Sequence, residues 1–135
     1  MFLDFTYITA CNFYRKREKN IFKISGLILL AGTILMNFVL VYMIFYNYYK
    51  NQINEHVFET IKWSLIGIYF ILLLPLLGLR YFKITSYDKV NNKIYSLSSS
   101  KRNAYQMCAT LYIILSFGVT ISYAIYNGGI INGWW

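Results

Sequence analysis

Three long runs that contain no charged residue, at positions 24–49, 63–79 and 107–126, constrain this chain more than any other feature of its sequence. A helix needs about 20 apolar residues to cross a bilayer, and the long basic side chains of Lys62 and Arg80 extend the shortest run. Because 58% of the 135 residues are hydrophobic and 13% are charged, a soluble domain of this size could not bury its apolar surface. The sequence therefore predicts an all-α membrane protein with transmembrane helices over residues 21–49, 61–82 and 106–126.

Basic residues are shared unevenly among the segments that flank these runs. Five precede the first run and six lie between the second and the third, whereas the first loop has two and the C-terminal tail has none. Because cytoplasmic loops carry an excess of Lys and Arg, we expect the N-terminus and the loop 83–105 inside, and the loop 50–60 and the tail 127–135 outside. The predicted location is a cell membrane, either a bacterial inner membrane or a plasma membrane, crossed three times.

The N-terminal segment 1–20 has a helical pattern but is too short to cross a bilayer. One face of this helix would carry Leu3, Tyr7, Ala10, Cys11 and Tyr14. The pattern predicts an interfacial helix that lies on the bilayer, with a frayed tail as the alternative. Six basic side chains near the predicted cytoplasmic boundary are expected to contact lipid headgroups: Arg15, Lys16, Arg17, Lys19, Lys101 and Arg102.

The loop 83–105 is the longest polar segment between two spans. Residues 84–87 and 94–97 are candidates for two short strands, and Asn91 and Asn92 between them tolerate the left-handed backbone of a tight turn. This pattern predicts a short cytoplasmic β-hairpin.

Small and polar side chains predict how the spans pack, because hydrocarbon gives apolar side chains little reason to associate. Each span carries one such stripe, and the predicted packing or partner-binding residues are Gly26, Thr33, Asn37, Ser64, Gly67, Pro75, Gly78, Ser116 and Thr120. We expect a compact three-helix bundle in which Asn37 bonds to Ser116 or Thr120, since an unpaired amide in hydrocarbon is costly. Pro75 should kink its helix near Ile71. In the alternative arrangement, one stripe packs against a second copy or a larger partner.

The residue patterns of known catalytic and metal sites are missing from the sequence. The three runs contain no Asp, Glu, Lys, Arg or His of the kind that proton-coupled transporters place inside their spans. Glu55, His56 and Glu59 lack the second histidine of a HExxH zinc helix, and Cys11 and Cys108 form no CxxC pair. We therefore predict no catalytic residue, metal site or cofactor. The net charge of +8 flanks the apolar runs, so we expect it to face lipid phosphate and not nucleic acid.

In outline the chain resembles small bacterial inner-membrane proteins of the toxin-immunity kind, through its short length, three spans and basic cytoplasmic loop. The resemblance covers architecture and no motif, and it implies recognition of a partner inside the bilayer. We expect a non-enzymatic protein that acts by protein–protein interaction in the membrane, as in toxin immunity, phage exclusion or complex assembly. Its partners would be lipids and either another membrane protein or a second copy. The alternative is a small oligomeric channel or membrane-disrupting effector, whose polar path would be lined by Thr33, Asn37, Ser116 and Thr120.

Overall fold

The computed structural model describes residues 2–15, 17–18 and 21–131, which form five helices joined by short connections. They are α1 (Phe2–Arg15), α2 (Phe22–Tyr49), α3 (Glu55–Ile84), α4 (Tyr87–Tyr95) and α5 (Ser99–Ile131). No β-strand occurs within the described ranges. Three of the helices, α2, α3 and α5, are long and apolar enough to cross a membrane. The prediction of an all-helical chain with three membrane-length helices is therefore confirmed.

The membrane-length helices extend beyond the apolar runs that predicted them. Helix α3 begins at Glu55 because the side chain of Asn54 caps it, accepting a hydrogen bond of 3.2 Å from the backbone N–H of His56. Helix α5 begins at Ser99 and continues to Ile131, through part of the predicted outer tail. Only the part of a helix that lies in hydrocarbon needs apolar residues. Outside it, the helix can extend through polar residues until a capping or helix-breaking residue ends it. The last four residues of that tail, 132–135, lie outside the described residues.

Helix α3 departs from α-helical geometry on both sides of Pro75. Residues Tyr69–Leu73 and Leu79–Ile84 are π-helical, and the backbone N–H of Leu74 bonds to the carbonyl of Tyr69, five residues earlier. Proline has no N–H to donate and crowds the preceding turn, and a π-helical turn is one way in which a helix accommodates it. The predicted disturbance before Pro75 takes this form.

The loop 83–105 forms helix α4, and the β-hairpin predicted there was wrong. Tyr87, Val90 and Ile94 are buried on one face. Their spacing of three and four residues is helical, whereas a half-buried strand alternates every second residue. An isolated hairpin is marginally stable, while a short amphipathic helix satisfies its own backbone and can cover a neighbour, here α1.

Helix α1 is present where an N-terminal helix was predicted, but the face expected to meet lipid is buried in the chain. Tyr7, Ala10 and Cys11 of the predicted stripe are fully buried, and so are Phe5 and Ile8. The helix packs against α2 and α5 and is covered by α4. The core is thus built by α1 together with the spans, and not by three spans alone.

Gly26 of α2 is the point of closest approach between α1 and α2. A Cβ atom at this position would overlap the Sγ of Cys11 and would lie 2.8 Å from its backbone N and 2.9 Å from its Cα. These are atoms of a helix backbone, which cannot swing aside as a flexible side chain can. Glycine is therefore the residue that allows α1 to dock.

Replacement of this glycine tests the docking. We expect Gly26→Ala to lower the free energy of unfolding by about 1–3 kcal/mol, because α1 must shift to admit the methyl group. Thermal unfolding of the purified protein in detergent measures the effect. Gly118→Ala is the matched control, since a Cβ there meets no atom within 4 Å. Equal stability of the two variants would show that α1 does not pack on Gly26.

Candidate functional site

Polar side chains at mid-helix join α2 to α5. The Nδ2 of Asn37 donates a hydrogen bond of 2.6 Å to the hydroxyl of Tyr112. The hydroxyl of Thr120 lies 3.1 Å from the carbonyl oxygen of Met36 and 2.7 Å from that of Ser116. Asn37 thus bonds to α5, as expected, but its partner is neither Ser116 nor Thr120. The tyrosine ring is long enough to reach an amide that the shorter hydroxyls do not meet.

A second polar contact joins the same two helices nearer their C-terminal ends. Asn47 Nδ2 lies 3.1 Å from the Tyr123 hydroxyl and 2.6 Å from the Asn127 Oδ1. The sequence analysis did not identify these partners, although a signal existed. Tyr112, Ser116, Thr120, Tyr123 and Asn127 follow one another at spacings of four, four, three and four, which places all five on one helical face.

The polar residues predicted in α2 and α5 are therefore brought together inside the chain. Thr33, Ser116 and Thr120 are buried, and the Thr33 hydroxyl bonds to the carbonyl of Leu29 at 2.8 Å. Gly26 lies in the same α2 stripe, against α1. Asn37 and Thr120 are thus paired across the α2–α5 contact, and the Thr33 hydroxyl is paired within α2.

The predicted stripe of α3 is not brought to this contact. Ser64 and Pro75 are exposed, and a Cβ at Gly67 or at Gly78 would meet no atom within 4 Å. Ile71 on the same stripe is 74% exposed. The side chains of α3 that are buried in the chain are large instead: Phe58, Tyr69, Leu77 and Tyr81. We call Ser64, Gly67, Ile71, Pro75 and Gly78 the small-residue face of α3, and these residues leave open space in front of the helix. Leu74, which has the same helical spacing, instead packs against the core.

The starts of α2 and α5 and the end of α3 meet α1 and α4 at one end of the molecule, which we call the basic end. Here the Asp4 carboxylate accepts hydrogen bonds from Arg80 at 2.9 Å and from the Tyr81 hydroxyl at 3.1 Å. The rings of Tyr7 and Tyr81 stack with their centroids 4.1 Å apart. Burial alone would raise the pKa of Asp4, but the hydrogen bond and charge of Arg80 outweigh it and bring that pKa below 3.8.

The structure describes four of the six residues predicted to contact lipid headgroups. Arg15, Arg17 and Lys101 are exposed, and Arg102 is half-buried with its guanidinium 4.9 Å from the centre of the Tyr95 ring. Lys16 and Lys19 lie outside the described residues. No group of three or more His, Cys, Asp or Glu side chains with metal-binding spacing occurs in the part of the chain that the structure describes.

Two grooves open between the long helices. One, of about 230 Å³, lies between α2 and α3 and ends at Tyr42 and Lys62. The other, of about 470 Å³, lies between α1, α2 and α5, with Phe13, Leu29 and Ile113 among its lining residues. Both are lined almost entirely by apolar side chains, which suits lipid chains as well as protein side chains.

Comparison with known proteins does not identify a function. No family model matches the sequence, and no curated protein and no solved structure is significantly similar to it.

The ion pair at the basic end gives a prediction about pH. Because the folded-state pKa of Asp4 lies below the ordinary 3.8, the pair stabilises the fold fully at pH values above 3.8. That contribution is lost as the pH falls through the lower folded-state pKa. Arg80 is 43% exposed, so we expect Asp4→Asn to cost about 1 kcal/mol at pH 7. The difference between wild type and variant should vanish below the folded-state pKa. A difference that persists there would contradict the assignment, and denaturant unfolding at a series of pH values measures it.

Proposed function

We propose that this protein is a non-enzymatic, multi-pass membrane protein that acts by binding another membrane-spanning protein through the small-residue face of α3. The orientation that we propose places the basic end in the cytoplasm, with the N-terminus inside and the C-terminus outside. A bacterial inner membrane or a plasma membrane is the setting, and α1 then lies at its cytoplasmic side.

The observation that supports the proposal is that the small residues of α3 do not pack against the rest of the chain. Helices in hydrocarbon associate where small side chains let their backbones approach closely. Within this chain α3 instead packs through Phe58, Tyr69, Leu77 and Tyr81, and it leaves Gly67 and Gly78 with free space in front of them. A close-packing surface of this kind suits a partner helix better than it suits lipid chains.

The classes of role that fit such a surface are toxin immunity, phage exclusion and the assembly of a membrane complex. Each requires a small protein to recognise a partner within the bilayer, and none requires a catalytic group in the spans. A second copy of this chain is the other partner that the face could accept.

The channel alternative receives less support from the geometry. Its polar path needs Thr33, Asn37, Ser116 and Thr120 to face water or ions, but Asn37 and Thr120 are hydrogen-bonded across the α2–α5 contact and Thr33 is hydrogen-bonded within α2. Thr33, Ser116 and Thr120 are also buried. Opening a path there would break several hydrogen bonds inside hydrocarbon, where water to replace them is scarce.

The test adds the same bulk to two unobstructed glycines. Gly67→Leu places a large side chain on the proposed face, and Gly118→Leu places one on α5, where a Cβ also meets no atom within 4 Å. Tagged protein is purified from its native membrane in mild detergent, and bound proteins are identified by mass spectrometry. We expect Gly67→Leu to lose about nine-tenths of the bound partner, or of the dimer, while Gly118→Leu retains it.

Both variants should unfold at the wild-type temperature, because a Cβ at either position meets no atom of the chain within 4 Å. A wild-type protein that purifies as a monomer bound to nothing would overturn the proposal. Retention of the partner by Gly67→Leu, at the wild-type level, would do the same.

A further inference from the structure

A polar cavity of about 460 Å³ opens at the basic end, at the junction of three helices. It is lined by Arg15 at the end of α1, by Phe22 and Lys23 at the start of α2, and by Tyr87 and Asp88 at the start of α4. Unlike the two apolar grooves, its exposed surface is about as polar as it is apolar. The apolar run of the first span begins directly after Lys23. The cavity therefore lies where the chain passes from polar surroundings to hydrocarbon.

The charges around this cavity do not balance. Among the described residues that line it, Arg15 and Lys23 are cations and Asp88 is the only carboxylate. The Lys23 Nζ is 3.5 Å from the Asp88 Oδ2, with side chains that are 41% and 73% exposed, so the pair is solvated and weak. Glu18, the next acidic residue before α2, accepts a hydrogen bond from the hydroxyl of Ser25 and is not among the lining residues. Among the described residues that line the cavity, the cations exceed the carboxylates by one.

Helix geometry adds to this positive potential. Both α2 and α4 begin at the cavity, and neither Ile21 nor Ser86, the residues that precede them, makes a side-chain capping hydrogen bond. A helix N-terminus carries partial positive charge, which an anion stabilises and a cation does not. Helix α4 has Asp88 in its first turn, whereas α2 has no acidic residue there and has Lys23 instead. A cation at the start of α2 is unfavourable, Asp88 offsets it only through a solvated pair, and a bound anion would offset it further.

We propose that this cavity binds an anionic phosphate group, of the kind carried by phospholipid headgroups. The Arg15 guanidinium can hold two phosphate oxygens at once, and the Lys23 ammonium supplies a point charge. Phe22 and Tyr87, whose rings meet edge to face with centroids 5.1 Å apart, form an apolar wall beside the charges. Asp88 competes with the ligand for Lys23.

The proposal names a site where the sequence indicated only a basic segment. It does not depend on the partner-binding face of α3, which involves none of these residues. The two proposals therefore fail or stand separately.

The experiment measures binding of defined probes to the full-length protein in detergent, by native mass spectrometry. Dioctanoyl phosphatidic acid supplies a lipid phosphate, dioctanoylglycerol is the same lipid without the phosphate, and glycerol 3-phosphate is the phosphate without the chains. We expect phosphatidic acid to bind and dioctanoylglycerol to bind at least about tenfold more weakly. Arg15→Gln and Lys23→Gln should each weaken phosphatidic acid binding by about tenfold.

Two further variants separate a site from general attraction to positive charge. Lys89→Gln removes an exposed cation from the same helix as Tyr87 but outside the cavity lining, so its effect should stay within about twofold. Asp88→Asn removes the competing carboxylate and should tighten binding, a gain that a damaged fold would not produce.

Glycerol 3-phosphate decides which source of phosphate the cavity accepts. If it binds with the same dependence on Arg15 and Lys23, the site takes soluble phosphates as well as lipids. If it does not bind while phosphatidic acid does, the site is a lipid headgroup site. Equal loss for Lys23→Gln and Lys89→Gln would overturn the proposal, and so would equal binding of phosphatidic acid and dioctanoylglycerol.

Discussion

The close contact between α1 and α2 at Gly26 is the constraint on which the rest of the structure depends. Without a side chain at this position, the backbone of α2 comes within contact distance of the α1 backbone at Cys11. Once docked there, α1 reaches the other helices of the basic end. Phe5 stacks on Tyr105 of α5 with ring centroids 4.6 Å apart, and Asp4 bonds to Arg80 of α3. In hydrocarbon, where apolar burial does not drive helices together, close packing and polar contacts of this kind hold a fold.

Helices α2 and α5 form an inner contact, whereas α3 presents an outer surface. Asn37 and Asn47 of α2 are paired with α5, and these bonds fix that helix pair. Helix α3 is attached by large aromatic and aliphatic side chains, and its small residues face outward. Packing that is complete on one side and open on the other is the physical basis of the proposed partner binding. At the basic end, two helix N-termini converge on a cavity whose charge is not balanced, which is the basis of the proposed phosphate site.

The sequence predicted the features that depend on hydrophobic length and missed those that depend on distant pairing. Three charge-free runs were enough to locate α2, α3 and α5, because a bilayer sets a minimum length. The stripe of Gly26, Thr33 and Asn37 could also be found, since its spacing is local. The partner of Asn37 could not, because Tyr112 and Ser116 share one helical face and the reach of each side chain decides between them. Helix α4 was mistaken for a hairpin because residues 84–87 and 94–97 are segments of only four residues each, too few to distinguish a strand from a helix.

The accessibility of two neighbouring positions on α1 tests most directly whether this helix is docked in the core. Cys11 is buried against Gly26, and its burial raises the pKa of the thiol to about 12, whereas Phe13, two residues away, is 64% exposed. In single-cysteine proteins that carry Cys108→Ser, the rate of alkylation by N-ethylmaleimide in detergent can be compared for Cys11 and for Phe13→Cys combined with Cys11→Ala. We predict that Cys11 reacts at least about 100-fold more slowly, because both burial and the raised pKa suppress the thiolate. Rates that agree within about threefold would show that α1 is not docked, and the account of the fold would fail with it.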